Sequence, residues 1–436
     1  MTDMAMERSI QTSCRAGEPS RRVAVPLTAV SLPVVCLSLG GTKLELGALT
    51  REGDYLSSRE VHWRNLPRFR ALLDDRDAWR FSRALLERVE VFLQRRGYDF
   101  RDVGVLGLPF PGPVWRGRWY SNNLIAAFRD GLPFEEEIGR ALLARHPGGP
   151  RVRVLSDARC DAGGELYHPR GRLQGSTATA TVLNLATGIA AGFVHRGRLL
   201  EEEQEYRTLV HPDYDTGAAQ LGRHLWYHPH RGGWRYHFHP RGQAPDIPPP
   251  AVRMTERLSG PALAARLLLY LGRGGLLPRA GQWPFSQVDV RELHNLYHCL
   301  ETHQIQSQPA LAAQRLRASP RPVASVLLTW ADGVYREGQG AVVDCIGAFA
   351  REIAGDLAGA LTAWAQAPGW EPYARHVVLT GGAGIRFLSL SDGLLGKCFI
   401  AHLAGKLPDN WRVERSCLLG SAERESYLFL GELAGD

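Results

Sequence analysis

Short apolar runs broken by Gly and Pro dominate the first two hundred positions, and amphipathic helical periods dominate the rest. Val34 to Leu39 is an apolar run of buried-strand length, and Gly40-Gly41-Thr42 turns the chain after it. Leu44 to Leu49 alternates as a second strand. Arg51 to Asp54 reads as a hairpin turn, and Tyr55 to Trp63 as a third strand. Asp74 or Asp75 is placed to cap a helix whose apolar stripe runs through Trp79, Leu85, Leu86, Val89, Phe92 and Leu93, with Gly97 as its stop. Val103 to Leu108 predicts a strand, Ile125 to Arg145 a helix, and Val152 to Leu155 a strand leading into a helix at Ser156-Asp157-Ala158.

The same grammar then restarts. Ala178 to Leu185 and Ile189 to His195 read as strands around Ala186-Thr187-Gly188. A β-β-β-α-β-α order that occurs and then begins again predicts a duplicated, two-lobed α/β protein. The segment 211–250, crowded with His, Trp, Pro and Gly, fits no period and reads as an irregular flap over the ligand side of the cleft. Helices are expected at Ala262 to Leu271, Ala341 to Gln366 and Leu418 to Leu430, and a strand at Arg375 to Thr380. Residues 1–31 are polar and aperiodic and read as a disordered tail. The expected division is a first lobe over 32–166 and a second over 167–436, with the last helix, 418–430, free to return to the first lobe.

Composition changes this picture little. Hydrophobic residues are 44% and charged residues 22%, ordinary globular values, and no uninterrupted apolar stretch has the length of a membrane span. The net charge is +7, but only Lys43, Lys397 and Lys406 are lysines, and the arginines are dispersed among Asp and Glu. That argues for GC-rich coding and against a nucleic-acid partner. Seven widely spaced cysteines without a Cys-x-x-Cys suggest reduced thiols and a cytoplasmic setting. His224, His228, His230, His237 and His239 crowd the flap, and His294, His298 and His303 follow Cys-adjacent helical spacing. Neither set has the paired-ligand pattern of a zinc site, so no metal ligand is assigned.

Three Gly/Thr turns come after strands: Gly40-Gly41-Thr42-Lys43, Ala186-Thr187-Gly188 and Gly381-Gly382-Ala383-Gly384. Glycine lets backbone N–H groups approach a phosphate, and a Thr hydroxyl adds a donor. Each alone is an ordinary turn. Together, at the starts of both lobes and near the end, they suit a nucleotide held between lobes. Asp157, at a strand end, reads either as a helix N-cap or as a general base facing the cleft.

At these residues the chain resembles the ROK family (repressors, open reading frames, kinases) of the sugar kinase/actin/Hsp70 superfamily. Leu37 to Lys43 resembles its first phosphate motif, and Gly107 to Val114 its Pro-Gly-Pro-Val loop beside the sugar. Asn123-Leu124 is similar to its sugar-contacting pair, Ser156-Asp157-Ala158 to its catalytic motif, and Ala186 to Gly192 to its second phosphate motif. Glu256 to Gly260 and the strand into Gly381-Gly382 resemble the rest of the second lobe. The resemblance implies an actin-like ATPase fold with ribonuclease H-like duplicated lobes around a cleft. It implies phosphoryl transfer from ATP with Mg²⁺ to a hydroxyl of a sugar or sugar-like metabolite. Asp157 would be the base; Pro111, Gly112, Asn123, Ser156 and Glu205 would bind substrate. Gly40, Gly41, Thr42, Lys43, Thr187, Gly188, Gly381 and Gly382 would bind the nucleotide. The resemblance leaves room for a homodimer.

The chain departs from that pattern. Ser38 stands where the family has an Asp that helps position Mg²⁺ and phosphate, so magnesium support is weakened there. Ala186 replaces a Gly, Ser156 an Asn, and no Gly-Glu-x-Gly-His segment or Cys-rich zinc motif occurs. The alternative is therefore a silent or repurposed ROK-like protein that binds a sugar or nucleotide. A transcriptional repressor is expected less, because no DNA-binding domain is recognised before Pro33. The electrostatic reading of Ser38 predicts slow ATP turnover, raised by a carboxylate at that position.

Overall fold

The computed structural model describes residues 30–40, 44–58, 71–72, 77–112, 114–120, 131–186, 188–200, 224–237, 251–279, 287–302, 323–337, 340–367, 369–381, 394–418 and 420–435. Two five-stranded mixed sheets organise them. The first contains β1 (Leu32–Leu39), β2 (Leu44–Leu49), β3 (Tyr55–Ser57), β4 (Val103–Phe110) and β7 (Arg151–Ser156), in the order β3-β2-β1-β4-β7. Between β4 and β7 the chain makes a small ribbon of β5 (Val114–Trp115) and β6 (Arg118–Trp119). The second sheet contains β8 (Ala180–Leu185), β9 (Ile189–His195), β10 (Arg198–Leu199), β14 (His376–Thr380) and β15 (Arg412–Arg415), in the order β10-β9-β8-β14-β15. In each sheet the first strand pairs antiparallel with the second and parallel with the fourth, and the fourth pairs parallel with the fifth. Repetition of this order is the duplicated, ribonuclease H-like architecture of the actin-like fold.

The central strands β1, β4, β8 and β14 are largely apolar because both faces of each sheet are covered there. Along β1, Leu32, Val35, Leu37 and Leu39 enter the core under α1 (Ala78–Gln94) and α2 (Phe134–Leu143). Val34 and Cys36 point the other way, into a core shared with α3 (Asp157–Tyr167) and the C-terminal helix α11 (Ser421–Gly435). In the second sheet, Ala180, Val182 and Val378 pack with Ala162 and Leu166 of α3. Leu183, Leu185, Val377 and Leu379 face the largest core, built by α4 (Met254–Leu258), α5 (Gly260–Arg273), α6 (Gln287–Thr302), α7 (Val323–Glu337), α8 (Ala341–Ala365), α9 (Glu371–Ala374) and α10 (Leu394–Ala404). Thus α3 and α11 form the middle layer between the sheets. Small residues permit this. A Cβ on Gly164 would lie 2.5 Å from the Arg424 carbonyl oxygen, and one on Gly192 2.0 Å from that of Ala158.

Several expectations shift. The cap of α1 is Asp77, whose carboxylate accepts from the Arg80 N–H at 3.0 Å, and not Asp74 or Asp75. α2 begins at Phe134, not Ile125: Gly131 takes φ +72° and Pro133 is the N-cap, so the residues just before Phe134 turn; 121–130 lie outside the described residues. The third strand ends at Ser57, and 59–70 also lie outside them. The flap is regular where it is described. β11 (Leu225–His228) and β12 (Gly233–Tyr236) form a hairpin, joined by β13 (Val252–Arg253). Its turn is closed by Gly232 at φ +65°. The hairpin's aromatics are committed to the second lobe. A Cβ on Gly359 of α8 would meet Trp234 at 2.7 Å, and Trp234 and Tyr236 pack on the large core. Arg253 and Arg257 lie over Trp226 and Tyr227. This part of the segment is a wall of the lobe and not a free lid. Among the described residues no helix is long and apolar enough to cross a membrane.

Candidate functional site

The parallel strands β1, β4 and β7 all end on one edge of the first sheet, with Phe110 opposite Ser156 in register. Gly40, Pro111-Gly112 and Asp157 come directly after the three strand ends. The Pro111-Gly112 loop is anchored by the Trp119 indole N–H, which donates to the Pro111 carbonyl at 3.0 Å. Phe110, Trp119 and Phe134 pack edge-on or tilted beneath it, with centroids 4.7 to 5.7 Å apart. Gly112 adopts φ +106°, which strains any residue with a side chain. Its N–H donates to the Asp157 carboxylate.

Asp157 is the first residue of α3, not its cap; Ser156 holds the N-cap position without a side-chain bond. The Asp157 Oδ1 accepts from the Ala158 N–H at 2.8 Å. Burial, and then repulsion by Asp161 one turn further along, push its pKa up to about 7 against these two N–H groups and Arg424. A carboxyl poised there exchanges protons readily near neutral pH, which suits a general base.

Below Asp157 lies a buried charged layer that joins the two crossing helices. Asp161 is fully buried and accepts from the Arg424 Nε at 2.7 Å and from Asn184 Nδ2 of β8 at 2.5 Å. Arg424 also donates to the Leu418 carbonyl at 3.2 Å. Glu165 accepts from the Arg172 N–H at 2.9 Å and from the Ser416 hydroxyl. Burial raises the pKa of Asp161 and Glu165 despite these partners. Glu425 is 3% exposed; its carboxyl bonds the Ser38 hydroxyl, and its Oε2 has no hydrogen-bond partner among the described residues. Burial and then Asp161 push Glu425 well above the carboxylate range.

Among the described residues, the corresponding edge of the second sheet carries no carboxylate at its last strand positions. β8, β14 and β15 end at Leu185, Thr380 and Arg415, which lead into the Ala186–Gly188 turn, Gly381 and Ser416. The Gly260 N–H, at the start of α5, donates to the Ala186 carbonyl at 2.7 Å. Among the described residues, a Cβ on Gly188 would meet nothing within 4 Å. Gly381 has φ +87°, and a Cβ there would lie 2.2 Å from Asn184 Oδ1. Thr380 stands beside Asn184 in register, and both Thr380 Oγ1 and Asn184 Oδ1 are buried without a partner.

The structure therefore brings Gly40, Pro111, Gly112, Ser156 and Asp157 to one edge, and Gly188 and Gly381 to the corresponding edge of the other sheet. Gly41, Thr42, Lys43, Asn123, Thr187, Glu205 and Gly382 lie outside the described residues. Asp161, Asn184, Arg424 and Glu425 join the site from positions that no motif marks. A signal for two of them does exist: helical spacing places Arg424 and Glu425 beside Ala422, Leu428 and Phe429, among core positions. Among the described residues no three His, Cys, Asp or Glu side chains gather to cage a metal.

No protein-family model matches this sequence, and no curated protein matches it. Solved structures do. A ROK family transcriptional regulator, described as a homologue of the E. coli MLC protein, aligns with 93% of this chain and 79% of its own, at 15% identity and a TM-score of 0.49. A ROK family glucokinase from Streptomyces griseus, solved with glucose and AMPPNP, covers 91% of this chain and 97% of its own, at 18% identity and a TM-score of 0.48. The hexokinase of Schistosoma mansoni, complexed with glucose, covers 95% and 88%, at 13% identity and a TM-score of 0.42.

Proposed function

We propose that the cleft transfers a phosphoryl group from ATP to a hydroxyl of a sugar or sugar-like metabolite, with Asp157 as general base. The observation that carries this reading is the carboxyl of Asp157, held at the strand edge by the Gly112 N–H and pushed up to about 7. In the reaction, the acceptor hydroxyl donates its hydrogen bond to Asp157. As its oxygen bonds to the γ-phosphorus, the proton passes to the carboxylate, and the bond to the bridging oxygen breaks to release ADP. The N–H groups of Gly112 and Ala158 keep the carboxylate aimed. Pro111 and Gly112 form the acceptor wall. The turns at Gly40, Gly188 and Gly381 form the phosphate side.

Magnesium, when bound with the nucleotide, neutralises phosphate charge. The end of β1 fits it through the unpartnered Oε2 of Glu425 beside Ser38, since Ser38 itself offers only a hydroxyl. Gly41, Thr42, Lys43, Asn123, Thr187, Glu205 and Gly382 remain proposed contacts on the family resemblance, and the cytoplasmic setting remains proposed on the cysteine pattern.

Asp157→Asn should lower transfer by about 10²–10⁴-fold without loss of the fold. ADP release with a hexose panel, read beside thermal unfolding, tests this; full activity in the folded variant removes Asp157 from the mechanism. The second reading, a silent or repurposed sugar- or nucleotide-binding protein, is favoured by one observation, the serine at position 38. It predicts nucleotide or sugar binding by calorimetry with no ADP release.

A further inference from the structure

We infer that Glu425, brought against the end of β1 by the C-terminal helix, supplies the carboxylate that the end of β1 lacks and holds the divalent cation of a cation–nucleotide complex. The inference rests on the phosphotransferase reading and adds a residue to it. Three observations carry it.

The first is position. α11 packs on β1 and β2, over the face to which Val34 and Cys36 point, and Ser38 continues that face by strand alternation. The Ser38 side chain bonds Glu425, so the carboxyl stands at the place on β1 where a residue at 38 would otherwise have to provide one. Asp161 and Asp157 are both near enough to raise its pKa.

The second is an unused oxygen. Glu425 is 3% exposed, yet its Oε2 has no partner among the described residues. A buried polar atom left unsatisfied costs about 1–3 kcal/mol, and a residue present for packing alone would be apolar there, as Ala422, Leu428 and Phe429 of the same helix are. A ligand supplies the missing partner.

The third is the disposition of the neighbouring charge. Arg424, one residue before, is bound to Asp161 and to the Leu418 carbonyl, and Asn184 completes Asp161. The Arg424 guanidinium spends its hydrogen bonds on Asp161 and Leu418 and acts on Glu425 only through space, which leaves the Glu425 Oε2 without a hydrogen bond. A single protein carboxylate suits a hard, hydrated ion: Mg²⁺ on a nucleotide is held by one or two carboxylates together with phosphates and water.

The test is calorimetric titration of the full chain with ADP, in EDTA and in MgCl₂, backed by Mn²⁺ titration in the presence of ADP monitored by electron paramagnetic resonance. The wild type should bind ADP more tightly with Mg²⁺. Glu425→Gln should leave metal-free ADP binding unchanged and weaken cation binding by about 10–100-fold, the loss usual when a group that orients a metal site is removed. Ser38→Asp combined with Glu425→Gln should recover it, because the carboxylate returns from the strand. A Glu425→Gln protein that keeps the full Mg²⁺ effect overturns the inference and leaves the phosphotransferase reading standing. A wild type that binds no ADP in either buffer overturns both. If Glu425→Gln does not fold, Ser38→Ala takes its place: it removes the bond that aims Glu425, and an unchanged Mg²⁺ effect in it counts against the inference.

Discussion

The two sheets have the same strand order and the same parallel and antiparallel pairing, yet their corresponding edges differ in chemistry. The first edge ends in a carboxyl at Asp157, with Glu425 and Asp161 behind it. The second ends in glycines and neutral groups, Gly188, Gly381, Asn184 and Thr380. On the proposed reading, proton transfer belongs to the first edge and most of the phosphate contacts to the second. Proton transfer needs a carboxylate with a raised pKa, whereas a polyphosphate needs an approachable backbone free of negative side chains. The buried layer between them, Asp161–Arg424–Asn184, fastens helices and sheet of both lobes together.

The largest expected effect on stability breaks that layer. Arg424→Ala leaves the Asp161 carboxylate buried and unpaired, and should destabilise the protein by about 3–5 kcal/mol in urea denaturation. The exposed Arg140–Glu136 pair, by contrast, should contribute at most about 1 kcal/mol. If Arg424→Ala costs no more than that pair, the two lobes are not joined through this ion pair.

Gly381→Ala should cost about 1–3 kcal/mol, because the left-handed backbone and the nearby Asn184 Oδ1 both resist a methyl group. Thermal unfolding checks it, and an unchanged midpoint would free Gly381 from a structural role.

Asp157→Asn should raise stability at about pH 8 by about 1–2 kcal/mol, a figure reduced for partial solvent contact. The folded protein holds this proton up to about pH 7, while the unfolded chain releases it near the ordinary aspartate value. Stability is therefore lost as pH rises between those two values, and the Asn variant escapes the loss. Urea midpoints of both proteins at about pH 4 and about pH 8 should converge at the lower pH. Equal midpoints at both would remove the raised carboxyl. By the same titration, any transfer rate should fall as pH drops below about 7.

The smallest stability effect is at Gly188. A methyl group there meets nothing among the described residues, so Gly188→Ala should change stability by under about 0.5 kcal/mol while weakening ADP binding by crowding the phosphate. Unchanged ADP affinity would make this turn merely a turn. These two glycines separate what folds the second edge from what it is proposed to hold.

Legibility in the sequence tracks the physics of each element. β2 and β9 show their observed bounds in the residue pattern, and β1 shows its own within two residues, because continuous or alternating apolar runs between Gly turns have little other use. β15 has no such run: Arg412-Val413-Glu414-Arg415 is an edge strand whose charges pair locally, Arg412 and His376 both reaching Glu414. The β11–β12 hairpin is hidden because its aromatics and Pro229-to-Gly232 turn mimic irregular sequence until α8 is seen behind it. The convergence of Pro111, Gly112, Ser156 and Asp157 on one sheet edge is legible because each comes at the end of an apolar strand, and parallel strands bring their ends together. The bond between Arg424 and Asp161 is not, since it spans 263 positions and only the crossing of α3 and α11 creates it. Glu425 also alters the expectation for Ser38→Asp. Two carboxyls placed together cannot readily both ionise, so that substitution should help only when Glu425 is replaced with it.

Phosphorus NMR of the protein with ATP, Mg²⁺ and a panel of hexoses and N-acetylhexosamines reads the proposed transfer itself. A sugar phosphate resonance should grow together with ADP in the wild type and be lost in folded Asp157→Asn. Equal product from both proteins, or none from a wild type shown to bind ATP and a sugar of the panel, would contradict transfer through Asp157.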